Sequence, residues 1–168
     1  MLIRDVRPEE FAAVGEMVVA VYRSIIPGLD EYADELRGVA ARIDAGAAVW
    51  VAEDDGALAG TVTYVPGPGP YAEFKDPRGA GIRMLAVLPE FQGRGIGEAL
   101  VRACLARAAA DGRARVYLDT TRWMETAQRL YRRIGFVRRP DLDWEPATGV
   151  VLTAYVYELG SDEPQAAG

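Results

Sequence analysis

The sequence predicts an α/β fold of the mixed α+β type: one mostly antiparallel sheet with a central pair of parallel strands, flanked by about four helices. The parallel pair follows from strand-like runs at residues 82–88 and 115–119, which are joined by a segment of helical periodicity. A strand–helix–strand crossover within one sheet makes its two strands parallel. The antiparallel part follows from β-rich runs at Ala48–Ala52 and Thr61–Val65 on either side of Asp55-Gly56, a dipeptide that favours a hairpin turn.

The bulk composition is that of one globular domain. The 168 residues are 50% hydrophobic and 26% charged, which suits a chain with a substantial core. We expect a single domain over residues 1–159 and a disordered tail over residues 160–168, where the apolar periodicity ends. The formal net charge of −6 argues against a nucleic acid partner and mildly favours cationic substrates.

Composition also narrows the chemistry and the location. The chain has no histidine and one cysteine, which excludes histidine-dependent catalytic triads and zinc sites with histidine or cysteine ligands. Cys104 lies on the apolar stripe of a predicted helix and is expected to be a small core residue. No apolar run reaches the ~20 residues of a membrane span, and the N-terminus lacks the regions of a signal peptide. We therefore expect a cytoplasmic protein with no membrane partner.

The first part of the chain is expected to contain a strand, two helices and a hairpin. Pro8 followed by two glutamates favours a helix start, and the helical spacing of apolar residues continues to Pro27. The expected elements are a strand at Leu2–Val6, a helix from Pro8 to Pro27, a helix from Asp30 to Gly46, and strands at Ala48–Ala52 and Thr61–Val65.

Residues 66–81 are expected to form an irregular loop. They contain four prolines and four glycines, which disfavour regular structure. A loop of this length inside a compact domain is usually functional or disordered, and its aromatic and charged side chains favour a substrate-binding wall over a mobile linker. Those side chains are Tyr71, Glu73, Phe74, Lys75 and Asp76.

The second part of the chain is expected to complete the sheet. The helix after the glycine-rich turn should run to Ala110, and the short helix near residue 130 should end at Gly135, a typical C-terminal cap. The expected elements are a strand at 82–88, that long helix, a strand at Arg115–Asp119, a helix at Met124–Ile134, and strands at Phe136–Arg139 and Val151–Leu159.

A glycine-rich turn joins the strand at 82–88 to the long helix and contains Gly93, Gly95 and Gly97. Glycines leave backbone N–H groups uncovered at a helix N-terminus, where the macrodipole is positive, and such a turn binds anions, phosphates above all. The spacing disagrees with a dinucleotide fingerprint, which would need a small residue at Glu98, and with a P-loop, which would need Gly-Lys-Ser/Thr. A turn that binds nothing is the alternative interpretation.

Two ordered motifs resemble the signatures of the GNAT acetyltransferase superfamily. The first is Gln-x-x-Gly-x-Gly, met by Gln92, Gly95 and Gly97 directly after a strand. The second is Ala-x-x-Leu-Tyr-x-x-x-Gly-Phe at residues 127–136. The resemblance extends from Ile3 to about residue 159, and it implies the GNAT fold, in which the two parallel strands splay apart and bind acetyl-coenzyme A.

The resemblance implies specific contacts to acetyl-coenzyme A as the acyl donor. An open strand edge and a helix N-terminus suit an amide-rich arm and a pyrophosphate. The pantetheine arm is expected on the backbone of Leu85, Ala86 and Val87, and the pyrophosphate on the turn formed by Gln92, Gly93, Arg94, Gly95, Ile96, Gly97 and Glu98. The Arg94 side chain either adds a charged contact or is solvated surface.

The implied reaction is attack of an amine on the thioester, with coenzyme A leaving. By resemblance, the Val87 N–H stabilises the oxyanion and Tyr131 is the general acid; a packing role for Tyr131 is the alternative. Thiol and phenol pKa values of ~8.5 and ~10 are close enough for proton transfer between them. Asp119 is the candidate base by resemblance and Glu73 the candidate by chemistry, and a water chain could replace both.

One position departs from the family pattern, and several questions stay open. Many relatives have asparagine where this chain has Met124, which cannot make the same polar contact to coenzyme A. The expected acceptor is a primary amine of a small molecule or a peptide, and the sequence does not choose between them. A non-catalytic acyl-coenzyme A sensor is the alternative function. The resemblance also makes a homodimer plausible.

Overall fold

The computed structural model describes residues 1–160, so the tail expected to be disordered lies outside the described residues except for Gly160. The strands are β1 (Leu2–Asp5), β2 (Ala48–Asp54), β3 (Ala57–Val65), β4 (Gly79–Val87), β5 (Arg115–Thr120), β6 (Val137–Arg138), β7 (Trp144–Ala147) and β8 (Val150–Glu158). They form a mixed sheet in the order β1-β2-β3-β4-β5-β8-β6, and β7 pairs with β8. Only β4 and β5 pair in parallel among these described strands, which confirms the predicted fold class.

Five α-helices cover the sheet: α1 (Phe11–Arg23), α2 (Ala33–Arg37), α3 (Val39–Asp44), α4 (Ile96–Ala110) and α5 (Glu125–Ile134). The single helix predicted from Asp30 to Gly46 is wrong, because the backbone leaves the helical region at Gly38 (ψ 57°) and separates α2 from α3. The fully buried Arg42 donates to the Glu35 and Leu36 carbonyls, both at 3.1 Å. The Glu35 carbonyl also accepts from the Gly38 N–H at 3.1 Å, so Arg42 adds a second donor there and supplies one to the Leu36 carbonyl near the end of α2.

The two faces of the sheet are covered by different helices. Leu100 and Cys104 of α4 are fully buried in one cluster with strand residues such as Ile82, whereas Val18 of α1 packs in a second cluster with Met84. Burial raises the pKa of the Cys104 thiol, so the group stays protonated and Cys104 is the small core residue that the sequence predicted. No helix among residues 1–160 is long and apolar enough to cross a membrane.

A β-bulge in β4 changes the face of the sheet on which the side chains of this strand pack. The register with β3 pairs Thr61 with Ala86 and Thr63 with Arg83, so two residues of β4 lie opposite one residue of β3. Met84 adopts a left-handed backbone conformation there, with φ 55°. A bulge bends its strand and redirects the side chains that follow, which explains why Ile82 and Met84 pack on opposite faces.

The parallel strands part beside this bulge. Within the described residues, β4 and β5 pair only where Gly79–Gly81 lies beside Arg115–Tyr117. Beyond Gly81 and Tyr117 the two strands diverge, and we call the opening between them the fork. The splayed pair implied by the resemblance is therefore confirmed.

Two other boundaries differ from the sequence predictions. The predicted loop 66–81 ends at residue 78, because β4 already begins at Gly79. A Cβ atom on Gly79 would lie 2.7 Å from the Tyr117 ring, and one on Gly81 2.7 Å from the Phe74 ring, so these glycines make room for aromatic rings inside a strand. Strand β7 was not predicted, because all four of its residues are exposed and lack a buried alternating face.

Candidate active site

A cavity of about 350 Å³ lies at the fork. Its walls come from β4, β5 and the loop of residues 66–78, which we call the proline–glycine loop. The side chains of the loop that line it belong to Tyr71, Glu73, Phe74, Lys75 and Asp76, the five that the sequence singled out as a candidate wall. The strands contribute charged groups as well, including Arg83 and Asp119.

The two carboxyl groups that the sequence proposed as alternative bases meet in this cavity. Both side chains line it, although Glu73 and Asp119 are far apart in the chain. Burial raises the pKa of Glu73, and the neighbouring Asp119 raises it further, while the nearby Arg83 guanidinium opposes the shift. Two neighbouring carboxyl groups in one cavity favour the binding of one proton between them.

Arg83 joins the proline–glycine loop to the body of the protein. Its Nε lies 2.7 Å from the Glu73 carboxylate, one Nη donates to the Tyr71 carbonyl at 3.2 Å, and the other donates to the Tyr32 hydroxyl at 2.7 Å. Its side chain is only 13% exposed. Arg83 was not identified from the sequence. The available signal was a charged residue between apolar neighbours in the central strand, Ile82 and Met84.

Trp144 holds the other carboxyl group of the pair. Its indole Nε1 donates to Asp119 Oδ2 at 3.0 Å, which fixes the carboxylate. This contact depends on β7, which was not predicted from the sequence. The bond links the β7–β8 hairpin to the cavity.

Asp76 fastens the proline–glycine loop to β5. Its carboxylate accepts from the Tyr117 hydroxyl at 2.8 Å and from Arg115 at 3.2 Å. The Phe74 and Tyr117 rings stack with their centroids 5.0 Å apart. These contacts order the loop as a wall of the cavity.

The glycine-rich turn follows β4 and leads into α4. Gly93 and Gly95 have positive φ values of 78° and 79°, and Gly95 is the N-cap of α4. The N–H of Ala99 donates to the Gly95 carbonyl at 3.0 Å. Because this bond begins the helical ladder, the N–H groups of Ile96, Gly97 and Glu98 have no helical acceptor and are available to an anion.

Three side chains of the turn are engaged with the protein. Gln92 donates its amide to the Val87 carbonyl at 3.2 Å and so fastens the turn to the end of β4. Arg94 pairs with Asp54 at 3.1 Å, and Glu98 lies 3.8 Å from Arg133. The turn is therefore held by side chains while its backbone donors face outward.

The backbone of Val87 faces the fork. The next residue, Leu88, donates its N–H to the Ala59 carbonyl at 2.9 Å, towards β3. Backbone groups of successive residues in an antiparallel strand alternate between its two edges. The Val87 N–H and carbonyl therefore point away from β3, into the fork.

Tyr131 of α5 and Thr121, the residue after β5, have hydroxyl groups without hydrogen-bond partners in the described part of the chain. Tyr131 is only 3% exposed, burial raises the pKa of its hydroxyl, and among residues 1–160 that hydroxyl has no hydrogen-bond partner. The Thr121 hydroxyl is also buried without a partner in the described part of the chain, although the Thr121 carbonyl accepts from the Met124 N–H at 3.1 Å. An unpaired buried hydroxyl lowers the stability of the fold, and the Thr121 hydroxyl was not identified from the sequence.

Comparisons with known proteins agree with this geometry. The model of the acetyltransferase (GNAT) family matches residues 16–136. A mycothiol acetyltransferase of Acidothermus cellulolyticus is 36% identical over 54% of this chain and 24% of its own length, and human N-acetyltransferase 8B is 36% identical over 55% of this chain and 40% of its own length. The chain thus spans less than half the length of these two curated relatives.

Solved structures share the fold. A GNAT-family acetyltransferase from Staphylococcus aureus Mu50 superposes with a TM-score of 0.75 at 17% identity, over 95% of this chain and 99% of that one. The structure of yncA from Salmonella typhimurium, described with its cofactor acetyl-CoA, superposes with a TM-score of 0.67 at 22% identity, over 96% and 95% of the two chains.

Proposed function

The chain belongs to the GNAT acetyltransferase family, and from that premise we propose that it transfers an acetyl group from acetyl-coenzyme A to a primary amine by direct attack in a ternary complex. The observation that carries the proposal is the fork, which has uncovered backbone donors at one end and a proton-sharing carboxyl pair at the other. We take residues 1–159 as one acetyltransferase domain.

The residues around the fork fit acetyl-coenzyme A as the acyl donor. The free N–H groups at the start of α4 suit its pyrophosphate, and the open edge of β4 from Leu85 to Val87 suits its amide-rich arm. The unpartnered Thr121 hydroxyl, whose own carbonyl binds the Met124 N–H, suits a polar group of that arm. Thr121 would then supply the contact that Met124 cannot make. The donor supplies an activated thioester carbonyl.

Tyr131 is proposed as the general acid that protonates the departing sulfur. Burial raises the pKa of its hydroxyl, so the group carries its proton at neutral pH, although the raised pKa makes it a weaker acid than a free phenol. The absence of a competing partner for that hydroxyl among residues 1–160 supports this role over a purely structural one. The Val87 N–H, directed into the fork, is proposed as the oxyanion donor.

The Glu73–Asp119 pair is proposed as the base. An alkyl amine with a pKa of ~10.4 is almost entirely protonated at pH 7, so the acceptor must lose a proton before it attacks. The raised pKa of Glu73 makes its carboxylate a stronger proton acceptor than an ordinary one. Asp119 would stabilise the protonated form by accepting its hydrogen bond.

The acceptor is proposed to be an amine small enough to place its nitrogen beside this pair. A cavity of about 350 Å³ is at the small end of ligand sites, so the acceptor is a small molecule or the end of a peptide. Negative charge at the pair favours the approach of an ammonium group.

The test measures donor binding and turnover separately. Calorimetry with coenzyme A and with acetyl-coenzyme A reports binding, and release of free thiol reports transfer to a panel of small amines, amino acids and peptide N-termini. Binding together with amine-dependent thiol release supports the proposal. Binding with no release across the panel favours an acyl-coenzyme A sensor, and no binding refutes both functions.

Two further proposals concern location and assembly. We propose a cytoplasmic location, supported by a single cysteine that is buried and unpaired. We propose a homodimer through the final strands, supported by exposed apolar side chains on Val137, Trp144 and Val151. Sedimentation of the purified protein tests the assembly, and a monomer at all concentrations contradicts it.

A further inference from the structure

Lys75 differs from the other basic residues at the cavity. It is the only lysine in the sequence, its side chain lines the cavity, and it is exposed. Arg83 is paired with Glu73 at 2.7 Å, and Arg115 with Asp76 at 3.2 Å. Lys75 makes no ion pair with any residue between positions 1 and 160, so its amine is not held away from the cavity.

The backbone on either side of Lys75 is fixed. The ring before it, Phe74, stacks on Tyr117, and the carboxylate after it, Asp76, accepts from Tyr117 at 2.8 Å. The amine is therefore carried on a flexible four-carbon stem from a fixed point on the cavity wall. Glu73, the proposed base, is two residues away on the same wall.

We propose that Lys75 is itself an acetyl acceptor, so that the protein acetylates its own cavity wall when acetyl-coenzyme A is bound and no other amine is present. The inference rests on the proposed function, because it uses the same donor. The Lys75 ammonium first loses a proton to solvent. Its neutral nitrogen then forms a bond to the acetyl carbon and passes its second proton to the Glu73 carboxylate, and the carbon–sulfur bond breaks with its electron pair going to sulfur. The thiolate takes a proton from Tyr131 or from water, and the products are acetyl-lysine and coenzyme A.

Tethering is the physical reason to expect this reaction at a single lysine. A side chain attached to the wall of the cavity has an effective concentration near the donor in the millimolar range. A free amine must reach that concentration in solution to compete. Acetylation also removes the one cavity cation without an ionic partner in the described residues, so the modified wall presents a neutral amide to later acceptors.

The experiment incubates the full chain with acetyl-coenzyme A and follows its intact mass and its peptide map. We expect the mass of one acetyl group on the Lys75 peptide, with a rate constant that does not change when the protein is diluted. The heat-unfolded chain should react at least about tenfold more slowly, because unfolding abolishes the tethered geometry. Excess desulfo-coenzyme A should suppress the reaction, and Lys75→Arg should abolish it.

The controls separate this inference from the proposed function. The peptide map distinguishes Lys75 from the N-terminal amine, the other acylatable amine of the chain. Calorimetric binding of coenzyme A and thiol release with added amines, but no acetyl group on Lys75, would overturn the inference and leave the function standing. Modification of Lys75 at equal rates in the folded and unfolded chains would overturn it as well. No binding of coenzyme A would refute both.

Discussion

Replacement of Glu73 by glutamine should change how the stability of the protein depends on pH. Burial, with help from Asp119, raises the pKa of Glu73 from 4.5 to about 8 in the folded chain. The unfolded chain exposes this carboxyl to water, so its pKa returns to the ordinary range. Between these values the folded protein holds a proton that unfolding releases, so the free energy of unfolding falls as pH rises.

The size of this effect follows from the same shift. One proton released on unfolding lowers the free energy of unfolding by at most about 1.4 kcal/mol per pH unit. Between pH 5 and pH 8 the wild-type protein should therefore lose about 3 kcal/mol of stability through this group. Glutamine has the shape of the protonated acid, since its N–H can donate to Asp119 and its carbonyl can accept from Arg83. The variant should not lose that stability.

The assay is urea unfolding followed by tryptophan fluorescence at several pH values from 5 to 8. We expect the Glu73→Gln protein to gain stability over wild type as pH rises, with the smallest difference at pH 5. Glu35→Gln is the matched control, because Glu35 also lies near Arg83, at 3.7 Å, but lies outside the proton-sharing pair. Stability curves that run parallel for wild type and Glu73→Gln would refute the shared proton.

The remaining predictions concern the donor and the chemical step. Tyr131→Phe should lower turnover about a hundredfold by removing the general acid while calorimetry shows unchanged affinity for coenzyme A; unchanged turnover would assign the acid elsewhere. Thr121→Val should leave the melting temperature of the free protein unchanged or higher, because it removes an unpaired buried hydroxyl, and should shrink the rise in melting temperature caused by coenzyme A; an equal rise would contradict the contact. Gly95→Ala places a side chain at φ 79° and should cost about 1 kcal/mol of stability together with affinity for coenzyme A. Gly112→Ala, at φ 72° and also in open space, is its control and should cost similar stability with no loss of affinity.

Local patterns in the sequence were sufficient for most of the fold. The parallel pair, the hairpin at Asp55-Gly56 and the glycine-rich turn each depend on residues close together in the chain. Their propensities and periodicities act over a few residues. The error at the start of β4 arose because the deciding contact was distant. The glycines at 79 and 81 were assigned to a loop because the rings of Phe74 and Tyr117 that cover them cannot be located from the chain alone.

The candidate site divides in the same way. The sequence by itself pointed to Glu73 through its chemistry and to the uncovered N–H groups at the start of α4, and the resemblance added Asp119 and Tyr131. Only the tertiary structure brought Glu73 and Asp119 to one cavity, by placing a loop beside a strand end, with Arg83 bound to Glu73 and Trp144 bound to Asp119. Separation along the chain does not determine separation in space, and the pKa of a carboxyl group depends on its burial and on the charges that folding brings near it.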